Sequence, residues 1–203
     1  MMRLLSAPAS PFGRKVQIVA RLKGLMDQIT VEPTDTRGPH NATLAAANPL
    51  SKIPALVLAD GTVLYDSKVI CEYLDTLSPS PVLFPHPGLA RFTMLTRAAL
   101  ADGIMEAALL QVYERRFRPE AIWSPDWVAR QQVKIDAGLA DLEAHQSTWP
   151  ATPDYSHIAV ACALGYLDLR SGRGWRDTHP ALSAWVDRFA TTIPVFNETT
   201  PVG

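Results

Sequence analysis

The chain has 203 residues, of which 47% are hydrophobic and 19% charged, and its formal net charge is −1. That balance describes a globular chain long enough for one large core or two small ones, and it excludes disorder. With no basic field to neutralise phosphates, nucleic acid is excluded as the main partner.

The opening Met1–Ser6 is too short an apolar run for a signal peptide, and Pro8 and Pro11 follow at once. Within it, Arg3–Ser6 reads as a short strand. Pro11–Lys23 carries Phe12, Val16, Val19 and Leu22 near helical spacing, with Gly24 as a stop. Gln28–Pro33 alternates as a strand, and His40–Ala47 is an alanine-rich helix ending at Asn48-Pro49. Asp60-Gly61 between Ala55–Leu58 and Thr62–Leu64 marks a tight hairpin. Ser67 is expected to cap the next helix, with Val69, Ile70, Tyr73, Leu74 and Leu77 on one face.

The order of this first part is βαβαββα. Two proline clusters, Ser78–Pro81 and Pro85–Gly88, then read as a linker. Beyond them the pattern is helical throughout. Helices are expected over Leu89–Phe117 (with a kink near Gly103), Pro125–His145, Asp154–Arg170 and Pro180–Thr191. The third is apolar on most sides, as a helix at the centre of a bundle would be. The reading is therefore an α/β domain over 1–78, a linker over 79–88 and an all-helical domain over 89–203.

No stretch approaches the roughly 18–20 apolar residues that cross a bilayer. Cys71 and Cys162 lie in no C-x-x-C and have no zinc-type spacing, so they read as buried reduced thiols in a reducing compartment. No metal is expected.

Three motifs occur in order: Ser10-Pro11-Phe12-Gly13-Arg14-Lys15-Val16, Asn48-Pro49-Leu50-Ser51-Lys52-Ile53-Pro54, and Leu64-Tyr65-Asp66-Ser67-Lys68-Val69-Ile70. Together with Ile158–Asp168 and His179–Trp185 they resemble the cytosolic glutathione S-transferase family over nearly the whole chain. The likeness is to serine-type bacterial members similar to the YibF-like subgroup. The Ser-Pro-Phe entry also resembles the plant tau class.

This resemblance implies a thioredoxin-like domain followed by a helical bundle, glutathione as co-substrate, a homodimer, a cytoplasmic setting and a detoxification role. It implies that Ser10, at the head of the first helix, donates a hydrogen bond to the glutathione sulfur. Such a donor favours the thiolate, which is the nucleophile. The other reading of Ser10 is a plain helix cap. The resemblance also implies that Pro54 is cis, so that Ile53 offers its backbone to the tripeptide, and that Asp66 and Ser67 take its γ-glutamyl end.

His40 and Lys52 are the candidates for the glycine carboxylate, Lys52 reading equally as a solvated lysine. Asp102 is the candidate for reaching glutathione across the dimer, with the first domain on the partner's Leu89–Phe117 and Pro125–His145 helices. Phe12 is assigned both to glutathione and to the acceptor, and Met105, Leu109, Tyr113 and Arg116 to the acceptor, between the domains. Arg115, Arg116 and Arg118 favour an anionic electrophile or form a solvated face.

One departure concerns the helix from Asp154. His157 stands where the family has an acidic residue, so the reciprocal half of a capping box is expected to be lost.

The implied activity is attack of the glutathione sulfur on a small electrophile, or reduction of an organic peroxide. The alternative is a non-catalytic protein that binds glutathione or a hydrophobic ligand. A disulfide reductase would need a reactive cysteine near the first helix, and the sequence has none there.

Overall fold

The computed structural model describes residues 1–38 and 41–202, so His40 lies outside the described residues. The chain forms two compact units: residues 1–88 joined by the C-terminal stretch from Pro194, and Leu89–Ile193.

The first unit runs β1 (Met2–Ser6), α1 (Pro11–Leu22), a 3-10 turn (Met26–Gln28), β2 (Ile29–Pro33), α2 (Ala42–Ala47), β3 (Ala55–Val57), β4 (Val63–Leu64) and α3 (Ser67–Thr76). Its sheet has the order β2-β1-β3-β4. β1 and β2 are parallel, which demands a crossover, and α1 supplies it. β3 is antiparallel to both β1 and β4.

Both Leu4 and Leu5 of β1 are buried, so this strand is covered on its two faces. Leu5 packs with Leu44 of α2 and Ala55, joined by Ala47, Ile53 and Val63. Val16 and Val19 of α1 and Ile70, Cys71 and Leu74 of α3 are fully buried, which makes Cys71 an inert core thiol.

The cap of α3 differs from the sequence reading. Asp66 is the N-cap, its Oδ1 accepting from Lys68 N at 3.0 Å, and Ser67 is the first helical residue. A carboxylate outcompetes a hydroxyl for that role because its acceptor is ionised.

The C-terminal stretch also differs from the sequence reading, which placed it with the helical half. α9 (Val195–Glu198) groups with the first unit. Arg14 of α1 is 4% exposed and needs acceptors for its guanidinium. It donates to Phe196 O at 2.6 Å and Thr199 Oγ1 at 3.3 Å, and its Cζ lies 3.9 Å from the Phe196 ring centroid.

The second unit holds α4 (Leu89–Phe117), α5 (Pro125–His145), α6 (Tyr155–Arg170), α7 (Trp175–Thr178) and α8 (Pro180–Thr192). α4 continues through Gly103 and packs against α5 and α6. Gly138 permits the close approach of α5, since a Cβ there would press into Ile104 of α4. Every residue from Tyr155 to Leu164 is buried, Cys162 included, so α6 is the centre of the bundle.

The capping box of α6 is present, contrary to the expectation from sequence. Asp154 Oδ1 accepts from Ser156 N at 2.9 Å and His157 N at 3.3 Å, and the His157 ring meets the Asp154 backbone N–H at 3.1 Å. An imidazole nitrogen does here what a carboxylate does in the usual box.

Candidate functional site

Strand register assembles one end of the sheet. Leu5 of β1 pairs with Ala55 of β3, and Leu56 pairs with Leu64 of β4. The exit of β1, the entry of β3 and the exit of β4 therefore lie side by side. From these three points the chain leads to Ser10, from Ile53-Pro54, and to Asp66-Ser67. The three motifs, far apart in sequence, converge for that reason.

Ser10 is held by local bonds. Its N–H donates to Ala7 O at 2.9 Å, and its carbonyl accepts from Arg14 N at 3.0 Å. It is extended (φ −79°, ψ 115°), with Pro11 in the first helical turn. The Oγ accepts from Gly13 N at 3.1 Å. A hydroxyl that accepts keeps its own proton to give, so the cap and a donor role are compatible. Pro11 has no N–H and Gly13 has spent its own on Ser10. The Phe12 N–H thus remains as the donor of that turn, adding the positive end of α1.

Gly13 is required by packing. A Cβ there would collide with Ser6 Oγ at the end of β1. Ser6 is 1% exposed, and its Oγ has no hydrogen-bond partner among the described residues.

The Ile53–Pro54 peptide bond is cis, as is Tyr65–Asp66. Ile53 is half-buried against the Leu5–Leu44–Ala55 cluster. The loop before it is organised by Asn48, which sequence reasoning counted only as the start of a motif. Asn48 Nδ2 donates to Lys52 O at 2.9 Å, and its Oδ1 accepts from Leu50 N at 3.0 Å. Ser51 follows with φ 51°, a left-handed conformation that a non-glycine residue adopts at a cost. Asparagine's habit of bonding its own backbone two residues on was the signal available in the sequence.

Asp66 is exposed and Ser67 is 3% exposed. With Lys68 N taken by the Asp66 carboxylate, the Ser67 N–H and hydroxyl remain at the head of α3. An anionic side chain next to free N–H donors suits a zwitterionic end, a carboxylate beside an ammonium, better than a simple anion.

Phe12 is half-buried, with the Lys15 ammonium 5.3 Å from its ring centroid. Lys52 is exposed. The remaining candidates stand on α4. Asp102 is half-buried. Leu109, Tyr113 and Arg116 follow one face at helical spacing and keep exposed surface, whereas Met105 is fully buried and serves the core. Among the described residues, no group of three or more His, Cys, Asp or Glu is arranged to hold a metal.

Comparisons with known proteins agree with this geometry. Residues 9–77 match the family model described as glutathione S-transferase, N-terminal domain, and residues 125–188 match glutathione S-transferase, C-terminal domain. The chain is 36% identical over 205 aligned positions to the uncharacterized GST-like protein YibF of Escherichia coli K12, covering 95% of this chain and 98% of that one. A glutathione transferase family member from Pseudomonas fluorescens Pf-5, solved with bound glutathione, is 40% identical over the whole of both chains with a TM-score of 0.94. The structure with bound S-(propanoic acid)-glutathione from the same source is also 40% identical over both whole chains, with a TM-score of 0.89.

Proposed function

Because the chain belongs to the glutathione S-transferase family and has its fold, we propose that it binds glutathione at the sheet end described above and transfers its sulfur to a small electrophile. The observation that carries this reading is the Ser10 hydroxyl, fixed by Gly13 N at the head of α1 with its own proton still to donate. Ile53, at the entry of β3, pairs with the tripeptide backbone, and Asp66 with Ser67 takes the γ-glutamyl end.

In this mechanism Ser10 donates to the sulfur and lowers the thiol's pKa, with the Phe12 N–H contributing to the same potential. The thiol proton passes to water, the thiolate bonds to the electrophilic carbon, and with an aryl halide the carbon–halogen bond then breaks and halide leaves with the electron pair. The Pseudomonas ligand S-(propanoic acid)-glutathione carries a carbon substituent on its sulfur, the kind of product such a reaction yields. An organic peroxide is the other acceptor class: its O–O bond breaks to give an alcohol and water, and two glutathione thiols supply the two electrons and protons and end as one disulfide.

We assign the protein to the cytoplasm and to a detoxification role. Among the described residues, no helix is long and apolar enough to cross a membrane. We also assign it a homodimeric state, in which Asp102 reaches the partner's glutathione. Exposed apolar residues on each unit support that assembly: Leu50, Tyr65 and Val69 on the first, and Leu89, Phe92 and Val133 on the second.

The test is Ser10→Ala assayed with glutathione and a chromogenic aryl halide. The rate should fall about ten- to a hundred-fold with little change in glutathione affinity, since the lost bond matters most to the anion. Retention on immobilised glutathione without turnover of any electrophile by the wild-type protein would favour a binding-only role. Unchanged turnover in Ser10→Ala would remove the hydroxyl from the mechanism.

A further inference from the structure

We propose that Arg14 is a positioning residue of the glutathione site: it grips the C-terminal stretch from the buried side of α1 and so holds the first turn of that helix, and with it the Ser10 hydroxyl, in place. The role rests on the reading of Ser10 as the donor to sulfur. All the groups involved belong to the first unit.

The turn that carries Ser10 is poorly suited to hold itself. The first N–H groups of a helix have no partners within it, and helix ends are where local opening begins. Pro11 brings no N–H, and Gly13 is the weakest helix former after proline. A better former cannot replace Gly13, because Ser6 Oγ at the end of β1 occupies the space of a Cβ. Two bonds close the turn onto Ser10. Gly13 N–H donates to its Oγ at 3.1 Å, and Arg14 N–H donates to its carbonyl at 3.0 Å. The main chain of Arg14 thus completes the first helical hydrogen bond.

The side chain of the same residue is anchored. Arg14 is 4% exposed, and its guanidinium donates to Phe196 O at 2.6 Å and to Thr199 Oγ1 at 3.3 Å, with Cζ 3.9 Å from the Phe196 ring centroid. These partners are themselves fixed. Phe196 is 8% exposed, and Thr199 Oγ1 donates to Val195 O at 2.9 Å. A planar guanidinium that meets a carbonyl, a hydroxyl and a ring face has one orientation. Fraying or rotation of the first turn would pull a buried charge away from its acceptors, which is costly.

Tying down the end of the chain explains less. Arg21, two turns further along α1 and more exposed, already reaches Glu198 at 3.9 Å. A buried junction is also made well by apolar side chains, without desolvating a charge. A guanidinium at the residue that closes the Ser10 turn supplies direction, which apolar contact does not. The bond from a hydroxyl to sulfur depends on angle as well as distance, so direction is what the site requires.

The test uses R14M, which keeps the length of the side chain and removes the guanidinium, with R14K, S10A and the double variant S10A/R14M, all in the full chain. Bound glutathione is titrated by the ultraviolet absorbance of its thiolate, and turnover is followed with the chromogenic aryl halide. R14M should lower kcat about ten-fold, with the KM for glutathione within about two-fold, and should move the titration of the bound thiol upward toward that of free glutathione. R14K, which keeps the charge and loses the planar fork, should recover part of both. Without Ser10, the R14M change should move the thiol titration no further, since the hydroxyl through which Arg14 acts is gone. A general loosening of the fold would act equally in both backgrounds. If R14M does not fold, R14K and T199V, which removes one acceptor from the partner side, decide the matter and should show the same pattern at smaller size.

Arg14 variants whose kcat and thiol titration match wild type, or whose effect on the titration is as large without Ser10 as with it, would overturn the proposal. S10A without effect on the titration would take down the Ser10 reading and the positioning role with it. An effective S10A beside an inert Arg14 series would remove the positioning role alone.

Discussion

Lys23 of α1 and Asp75 of α3 form an ion pair with Nζ 2.9 Å from Oδ1, their side chains only 1% and 10% exposed. The same lysine donates to Pro81 O at 2.7 Å, and the same aspartate accepts from Leu83 N and Phe84 N at 3.1 Å each. One pair thus fastens the proline-rich segment to both helices. Asp75→Ala would strand a buried ammonium and two backbone N–H groups. A loss of about 3–5 kcal/mol is expected, measured as the shift in a urea unfolding curve.

Gly13 and Ser6 share a space too small for another atom. Gly13→Ala should destabilise the chain by about 1–3 kcal/mol through overpacking and displace the first turn of α1, lowering turnover with it. Ser6→Ala alone should be neutral or slightly stabilising, since it removes a buried hydroxyl without a partner. The double variant should recover much of the loss, because two residues in contact do not act additively. Thermal melts of the four proteins check this, and purely additive losses would exclude the proposed contact.

Asp154 responds to pH through its neighbours. Burial pushes its carboxyl up, but hydrogen bonds, that from Ser156 among them, and the charge of Arg97 outweigh this and hold it below the ordinary value. A carboxyl with a depressed folded-state pKa stabilises the fold above its unfolded value and loses that contribution as pH falls through the folded one. The window is therefore below about pH 4. Asp154→Asn should be less stable than wild type at neutral pH, with the gap closing as pH falls through that window. Acid titrations of both proteins by circular dichroism measure it.

Glu143 of α5 caps a helix that lacks its own cap. Its carboxylate accepts from Ala181 N at 2.9 Å and Leu182 N at 2.8 Å, while His179, at the N-cap of α8, makes no side-chain capping bond. Glu143→Ala should cost about 1–2 kcal/mol, the usual loss of a good cap, and should open the first amides of α8 to hydrogen exchange.

Whatever depended on near neighbours was legible in the sequence. The hydrophobic spacing of α4 and α5, the Asp60-Gly61 turn and the Ser10-Pro11 helix start are all decided within a few residues. Short elements were less visible. α7 and α9 span four residues each and have too few positions to show a period. The cap of α6 was misread because His157 was weighed as a missing carboxylate rather than as a ring with an acceptor nitrogen.

By itself the sequence determined the order of elements, the division into an α/β part and a helical part, and the identities of the motif residues, since each follows from local periodicity and turn chemistry. The tertiary structure alone decided that Arg14 would hold the C-terminal stretch, that Lys23 and Asp75 would fasten the segment after α3, and that Asn48 would shape the loop before the cis proline. The reason is physical: a buried charge or amide takes its partner from whatever the packing brings within 3 Å, and separation along the chain does not say what that will be.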